Sequence, residues 1–564
     1  MTYTYDTCTN GRGRLCQVQD QSGTTTSSYS VKGELVQESK VILGVTYVTG
    51  YSYDTNGNLE TITYPSGRTV TYTHDLADQV SGVTTTPPGG SSQTVAANVT
   101  HNPFGGIASL TYGNGLARTV GYDQQYRITG IQTGGIQNLT YTPDNNGNIL
   151  SITNNLDASK SKSFTYDALD RLWTATGPWG ILGWGYDKVG NRLTQTGVDP
   201  STYTYTTGTN RLASVTGALN KTFGYDAHGN TTTENSRTYT YNQNNRLVQA
   251  TEGGILGDYV YNATEQRVVK TAGATTTVFH HDQQGQILAE TQGGLTTVEY
   301  IHLDAEPLAK ADGTTLSYIH PDHLATPVVM TGGAATKVWE IETRPFGDSP
   351  TVTGSAGLNL RFPGQYFELE TGLHQNWYRN YASFLGRYSE PDPMGLAGGV
   401  NRYTYAGNAP LQYTDPSGLQ LVIPGPPPTD PPPPGCTAKG PWRYVGGGSK
   451  STQRAKWRLL EANPVRIPLP WPAPFQGGGS FVLFCNCIYQ LTGREQVVQY
   501  WSVFQRPIEC QPCRDCATCE SVQEANGPPL EERSPVPVIM PVPQPIRIIT
   551  APYFQGRCQC PDSP

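Results

Sequence analysis

YSYDTNGNLETITYPSG, residues 51–67, decides how the rest of the chain is read. Tyr, one residue and Tyr again is period-2 alternation, which sends both rings to one face of a strand. Asp54 and the Gly57-Asn58 pair then supply a side-chain acceptor and a residue that tolerates positive φ, the chemistry of a tight turn. Leu59 starts a second strand, so the segment is a β-hairpin. The pattern recurs: YTPDNNGNILSIT at Tyr141, YDALDRLWTATG at Tyr166, YDKVGNRLTQTG at Tyr186, YDAHGNTTTENS at Tyr225 and YNQNNRLVQATEGG at Tyr241. Looser copies open at Tyr122, Tyr205 and His281. One hairpin cannot bury its apolar face alone, so stability has to come from stacking neighbours into a continuous sheet.

Composition agrees with an all-β class. The 34 Tyr far outnumber the 13 Phe, and Thr, Gly and Asn are abundant, which suits strands and turns. A mean hydropathy of −0.45 argues against a membrane-embedded chain. No run of about 18 apolar residues is present, and the N-terminus lacks a basic stretch followed by an apolar one, so there is neither a transmembrane helix nor a signal peptide to read. Residues 1–419 hold 25 Lys+Arg against 35 Asp+Glu, and residues 420–564 hold 13 against 10. The resulting balances, −10 and +3, fall well short of the dense basic patch of a nucleic-acid binder.

Serial units of this kind resemble the YD repeats of the Rhs and teneurin-like proteins over most of residues 1–419. YIHPDHLATPVVMT, Tyr318 to Thr331, is similar to the DHLG[ST]P motif that precedes the family's core domain, with Ala325 in place of Gly. The block opening RFPGQYFELETGLHQNWYRNYASFLGRYSEPDPMGL at Arg361 resembles the Rhs-associated core itself. The resemblance implies YD hairpins spiralling into a hollow β-shell over 1–315 and a core domain over 316–419. Because Met1 opens directly inside a YxYD unit, the shell is expected to be incomplete at its N-terminus.

Two DPxGL sequences, Asp392–Leu396 and Asp415–Leu419, close this region. Asp-Pro is a common turn opener, and by itself it would be structural. In the resembling family the core is an aspartyl-type autoprotease that cuts just after the second DPxGL. Carried over residue by residue, this implies Asp392 and Asp415 as the carboxyl pair, Arg379 as their arginine, and a cut between Leu419 and Gln420. Two carboxyls suit that chemistry because close like charges split their proton affinities, leaving one as base and the other as acid. The family's RYYDPxxGRF is RNYASFLGRY here, with Ala382 and Ser383 replacing Asp-Pro.

Past Leu419 the chain changes character. Residues 420–435 form a Pro-rich linker, expected as polyproline II. Residues 436–564 hold nine of the 11 Cys, including CQPCRDCATC with Cys510, Cys513, Cys516 and Cys519 at C-x-x-C spacing. That spacing suits zinc or an iron–sulfur cluster, and a small exported segment could equally be stapled by disulfides. Ser449–Asn463 reads as a helix, and FVLFCNCIYQL and QVVQYWSVF read as strands turning at Thr492. All nine His, from His74 to His374, precede Leu419, which disfavours His-dependent nuclease or deaminase chemistry in this segment. His320, His323 and His374 read as packed or exposed structural residues.

Two functions follow. The first is an Rhs-type toxin-delivery shell, secreted or at the cell surface, that cuts itself after Leu419 to free its C-terminal segment as cargo. A secretion-system carrier and an immunity protein are the partners this implies. The second is a surface or wall-associated adhesion protein whose exposed tyrosines contact carbohydrate and whose tail is structural.

Overall fold

A computed structural model describes residues 1–419 other than 103–105 and 350, and beyond Leu419 the backbone of separate strand segments. The chain divides into two compact units, Met1–Arg443 with Arg506–Gln523, and Tyr444–Gln505 with Glu524–Pro564.

In the first unit a 34-stranded sheet runs from Thr2–Tyr5 to Thr351–Gly354. Every strand pairs antiparallel with the one that follows it in sequence, as Val45–Tyr53 does with Leu59–Thr63 and Arg237–Tyr241 with Leu247–Thr251. The sheet carries on through Thr315–Pro321, Pro327–Thr331 and Lys337–Glu342, past residue 315.

The repeat explains itself at atomic level. Asp54 Oδ1 accepts the backbone N–H of Asn56 and Asn58 at 2.8 and 2.9 Å, while Oδ2 accepts the Asn58 amide at 2.9 Å. Asp144 and Asp187 repeat the set with Asn148 and Asn191. At Asp123 and Asp167 an arginine four residues on takes the asparagine's place, Arg127 and Arg171 each donating Nε at 2.7 Å. The residue three after the Asp lies in the left-handed region; it is Gly57, Gly147, Gly190 or Gly229 in four turns, and Tyr126 and Asp170 in the two arginine turns. Ala325 takes that position in the Asp322 turn, at φ 65°.

A β-bulge falls just before the second tyrosine of the unit, between Ser52 and Tyr53, Thr165 and Tyr166, and Gly185 and Tyr186. The first ring, such as Tyr51, is buried in the core. The second reaches along the sheet instead: Tyr53, Tyr166 and Tyr186 donate their hydroxyls at 3.0, 2.9 and 2.9 Å to the carbonyls of Leu35, Ile149 and Leu172. Each acceptor is the first residue of a strand in the preceding hairpin, so neighbouring turns are stitched together.

The ribbon winds back on itself. Tyr64 donates to the Tyr300 carbonyl at 2.7 Å, Asn114 to Thr331 at 2.9 Å, and Gln137 to the Pro321 carbonyl at 3.1 Å. One core cluster accordingly packs Tyr51 to Tyr112 against Leu288 to Tyr318. A smaller four-stranded sheet, Tyr366–Phe367, His374–Asn376, Arg379–Ala382 and Arg387–Tyr388, follows the long one. Leu373, Ala382 and Leu385 join the core of strands 203–261, and Phe346 and Leu411 join that of strands 120–184. Among the described residues no helix is long and apolar enough to cross a membrane.

In the second unit the backbone is again strand. Ser449–Asn463, expected as a helix, lies within the strand Arg443–Pro468, which pairs with Phe481–Cys510. The helix preference of one short segment is a weak prior that strand pairing overrides. The turn expected at Thr492 is likewise absorbed into Phe481–Cys510, whose two halves pair separately with Ile546–Phe554 and Leu530–Val536. The linker 420–435 lies outside the described residues.

Candidate functional site

The two DPxGL sequences fold alike. In each, the Gly N–H closes a turn onto the Asp carbonyl, Gly395 to Asp392 at 3.0 Å and Gly418 to Asp415 at 3.3 Å. Proline presets the second position, and Gly395 and Gly418 take φ 64° and 71°, which a side chain would resist. A Cβ on Gly418 would also come within 2.5 Å of the Asn376 carbonyl. The first turn is anchored by Asp392 N–H donating to Arg402 O at 2.8 Å, the second by Tyr378 N–H donating to Ser417 O at 3.1 Å.

Both turns present their aspartate to one cation. Arg379, on the fully buried strand Arg379–Ala382, places Nη2 2.9 Å from Asp392 Oδ2 and 2.9 Å from Asp415 Oδ2. Its Nε donates to the Gly418 carbonyl and its Nη1 to the Arg402 carbonyl at 3.2 Å. The guanidinium lies 3.6 Å from the centre of the Tyr388 ring. Tyr388 in turn donates its hydroxyl to Asp415 Oδ2 at 2.8 Å, and Asn376 Nδ2 donates at 2.8 Å to both the Tyr388 oxygen and the Asp415 carbonyl. Strand pairing makes this convergence: Asn376 is the register partner of Arg379, and Tyr381 that of Tyr388.

The carboxyls differ in setting. Asp392 is pushed up to about 6 by burial, which Arg379 and the Met394 N–H oppose and the nearby Asp415 reinforces. Asp415 is met by donors on both oxygens: Arg379 and Tyr388 on Oδ2, and the Leu419 N–H on Oδ1 at 3.0 Å. That last bond folds the chain so that Leu419 lies over the carboxylate. The arrangement sets two carboxyls with different surroundings on one guanidinium, one of them also bonded to the Leu419 N–H.

Arg379, Asp392, Asp415 and Leu419 are thus together, and Gln420 lies outside the described residues. Tyr388 and Asn376 went unread in the sequence; the Arg387-Tyr388 pair ending the GRY run was the available signal for the first. Glu390 was also missed. It is buried, accepts the Asn380 backbone and side-chain N–H at 2.7 and 2.9 Å, and is raised by burial. Cys510 ends the strand Phe481–Cys510 with Cys436 as its register partner, and Cys513, Cys516 and Cys519 lie outside the described residues. Cys8 and Cys16 form a disulfide. His320 and His374 are packed and lowered to about 3 by burial, and His323 Nε2 lies 2.8 Å from the Leu411 carbonyl. Among the described residues only Tyr3, Tyr5 and Tyr126 are largely exposed, so the many tyrosines serve packing and stitching.

A family model described as Teneurin YD-shell matches residues 121–411, just over half the chain, and one described as RHS Repeat matches residues 46–92. Toxin protein Tse5 of Pseudomonas aeruginosa is 36% identical over 108 residues, 19% of this chain and 8% of that one. Double-stranded DNA deaminase toxin A of Burkholderia cenocepacia (strain H111) is 29% identical over 328 residues, 50% of this chain and 22% of that one. The chain therefore spans less than a quarter of the length of either. The crystal structure of TcdB2-TccC3 superposes with a TM-score of 0.65 at 20% identity over 74% of this chain and 25% of that one, a likeness of fold.

Proposed function

Because the chain belongs to the teneurin YD-shell family, whose relatives here are named as toxins, we propose that it is a delivery shell that cuts its own chain between Leu419 and Gln420. The observation that carries the reading is the meeting of two like turns on one guanidinium, with Asp415 also holding the Leu419 N–H. Asp415 acts as the base and takes a proton from water, whose oxygen adds to the Leu419 carbonyl carbon. Asp392 gives its proton to the carbonyl oxygen. The tetrahedral adduct then collapses: Asp415 passes its proton to Gln420 N as the Leu419 C–N bond breaks, and Asp392 regains a proton from the adduct's hydroxyl, giving a new carboxyl end and a new N-terminus. Since Asp415 lies four residues from the bond, the reaction is intramolecular and needs no substrate binding. Residues 420–564 are the released cargo.

The test is a denaturing gel of the purified wild-type chain beside Asp392→Asn and Asp415→Asn. Two fragments from the wild type and one full-length band from each variant support the reading; a single full-length wild-type band under folding conditions rejects it. Growth arrest on expressing residues 420–564 inside cells would support a toxic cargo, and unaffected growth would count against it.

A further inference from the structure

Away from the aspartate pair, a cavity of about 290 Å³ is lined by Leu182, Trp184, Arg192, Arg344, Phe346 and Ser383, among others. That is the small end of the range for ligand pockets. Arg192 is only 6% exposed; its Nε and Nη2 make no well-formed hydrogen bond, and the hydroxyls of Tyr186 and Tyr203 are the polar groups beside it. Its guanidinium stacks 4.2 Å from the Phe346 ring centre and 5.7 and 5.9 Å from those of Trp184 and Tyr203. Among the described residues it makes no ion pair. The two carboxylates that share the cavity, Asp199 and Asp348, are both held by Arg344 Nη1, at 2.8 and 3.2 Å. One guanidinium therefore serves two acids while its neighbour serves none.

A buried cation with idle donors is costly unless an anion completes it. The chain packed directly against Arg192 Nη2 supplies none. It is the turn closed by Gly386 N–H on the Ala382 and Ser383 carbonyls at 2.9 and 3.1 Å, and a Cβ on Gly386 would run into Arg192 Nη2. Ala382, Ser383, Phe384 and Leu385 make up this turn, so it has no carboxyl. Cation and idle N–H groups on one side, with aromatic and aliphatic walls on the other, suit a planar anion with an apolar body. We propose that this cavity binds a small free carboxylate, its oxygens on Arg192 and its hydrocarbon part against Trp184, Leu182 and Phe346.

The test is thermal unfolding of the full chain titrated with benzoate and, separately, with the neutral isostere benzamide. Benzoate is expected to raise the midpoint saturably and benzamide to leave it unchanged. Arg192→Met removes the cation, and Ser383→Asp supplies an internal carboxylate that competes for it. Each is expected to weaken the benzoate response by roughly tenfold or more in apparent affinity, about the loss of one charge-assisted contact. Should Arg192→Met fail to fold, Ser383→Asp and the benzamide comparison still decide the matter. Equal responses to benzoate and benzamide, an undiminished benzoate response in Ser383→Asp, or no saturable response at all would overturn the assignment.

Discussion

Arg379→Met removes the cation that two buried carboxylates share, and its effect can be worked out from the geometry. In the wild type Arg379 is 3% exposed and its Nη2 contacts both Oδ2 atoms at 2.9 Å. Withdrawing one partner from a buried ion pair costs about 3–5 kcal/mol, because a charge is left uncompensated. The strands Arg379–Ala382 and Arg387–Tyr388 should then open more easily by that amount at pH 8, a rise in amide hydrogen exchange of roughly a hundredfold to a few thousandfold. The penalty should also depend on pH. Asp392 already sits at about 6 in the folded chain, against about 3.9 when unfolded. A carboxyl raised on folding costs stability while ionised, a cost present in full above the folded value and relieved as pH falls toward the unfolded one. Arg379 pulls that value down, so without it the relief begins at higher pH and is larger. The gap between wild type and variant therefore narrows from pH 8 to pH 5. The assay is hydrogen exchange read by mass spectrometry over residues 376–392. A gap that is the same at both pH values, or smaller than about 1 kcal/mol at pH 8, would refute the reasoning.

Three other outcomes are expected. If Asp392 must carry a proton, self-cleavage measured after refolding slows about tenfold per pH unit above pH 6, and a flat profile between pH 5 and 8 contradicts that role. Ala325→Gly relieves a left-handed alanine at φ 65° and raises stability by roughly 0.5–1 kcal/mol after the added freedom of the unfolded chain; a lower denaturant midpoint would refute it. His320, lowered to about 3 by burial with Arg118 and Lys337 adding, is a base depressed on folding. Its contribution is whole above its unfolded value and is lost as pH falls below it, so His320→Gln should flatten the stability curve by about 1.4 kcal/mol per unit between pH 6 and 4. Parallel curves would count against this.

The hairpin was legible because its signal is local. Asp, then Gly and Asn at fixed offsets, is a turn whatever surrounds it, and Asp54, Asn56 and Asn58 bond as that chemistry requires. The bulge before Tyr53 and the reach of its hydroxyl to Leu35 were not, since they depend on the register of a neighbouring hairpin. The same division holds at the site. Two Asp-Pro-x-Gly turns could be read one by one, and their pairing with Arg379 came through a resemblance. Tyr388 and Asn376 join them only because strand pairing brings residues 376, 379 and 388 together. In the second unit the helix read at Ser449–Asn463 gave way to pairing with a strand distant in sequence, which no local pattern announces.

On the proposed function, two turns and one arginine cut one particular bond. The most direct test is N-terminal sequencing of the smaller fragment from the refolded wild-type chain. The expected sequence begins Gln420-Leu421-Val422. A fragment beginning anywhere else, or the same fragment from Asp392→Asn, would contradict it.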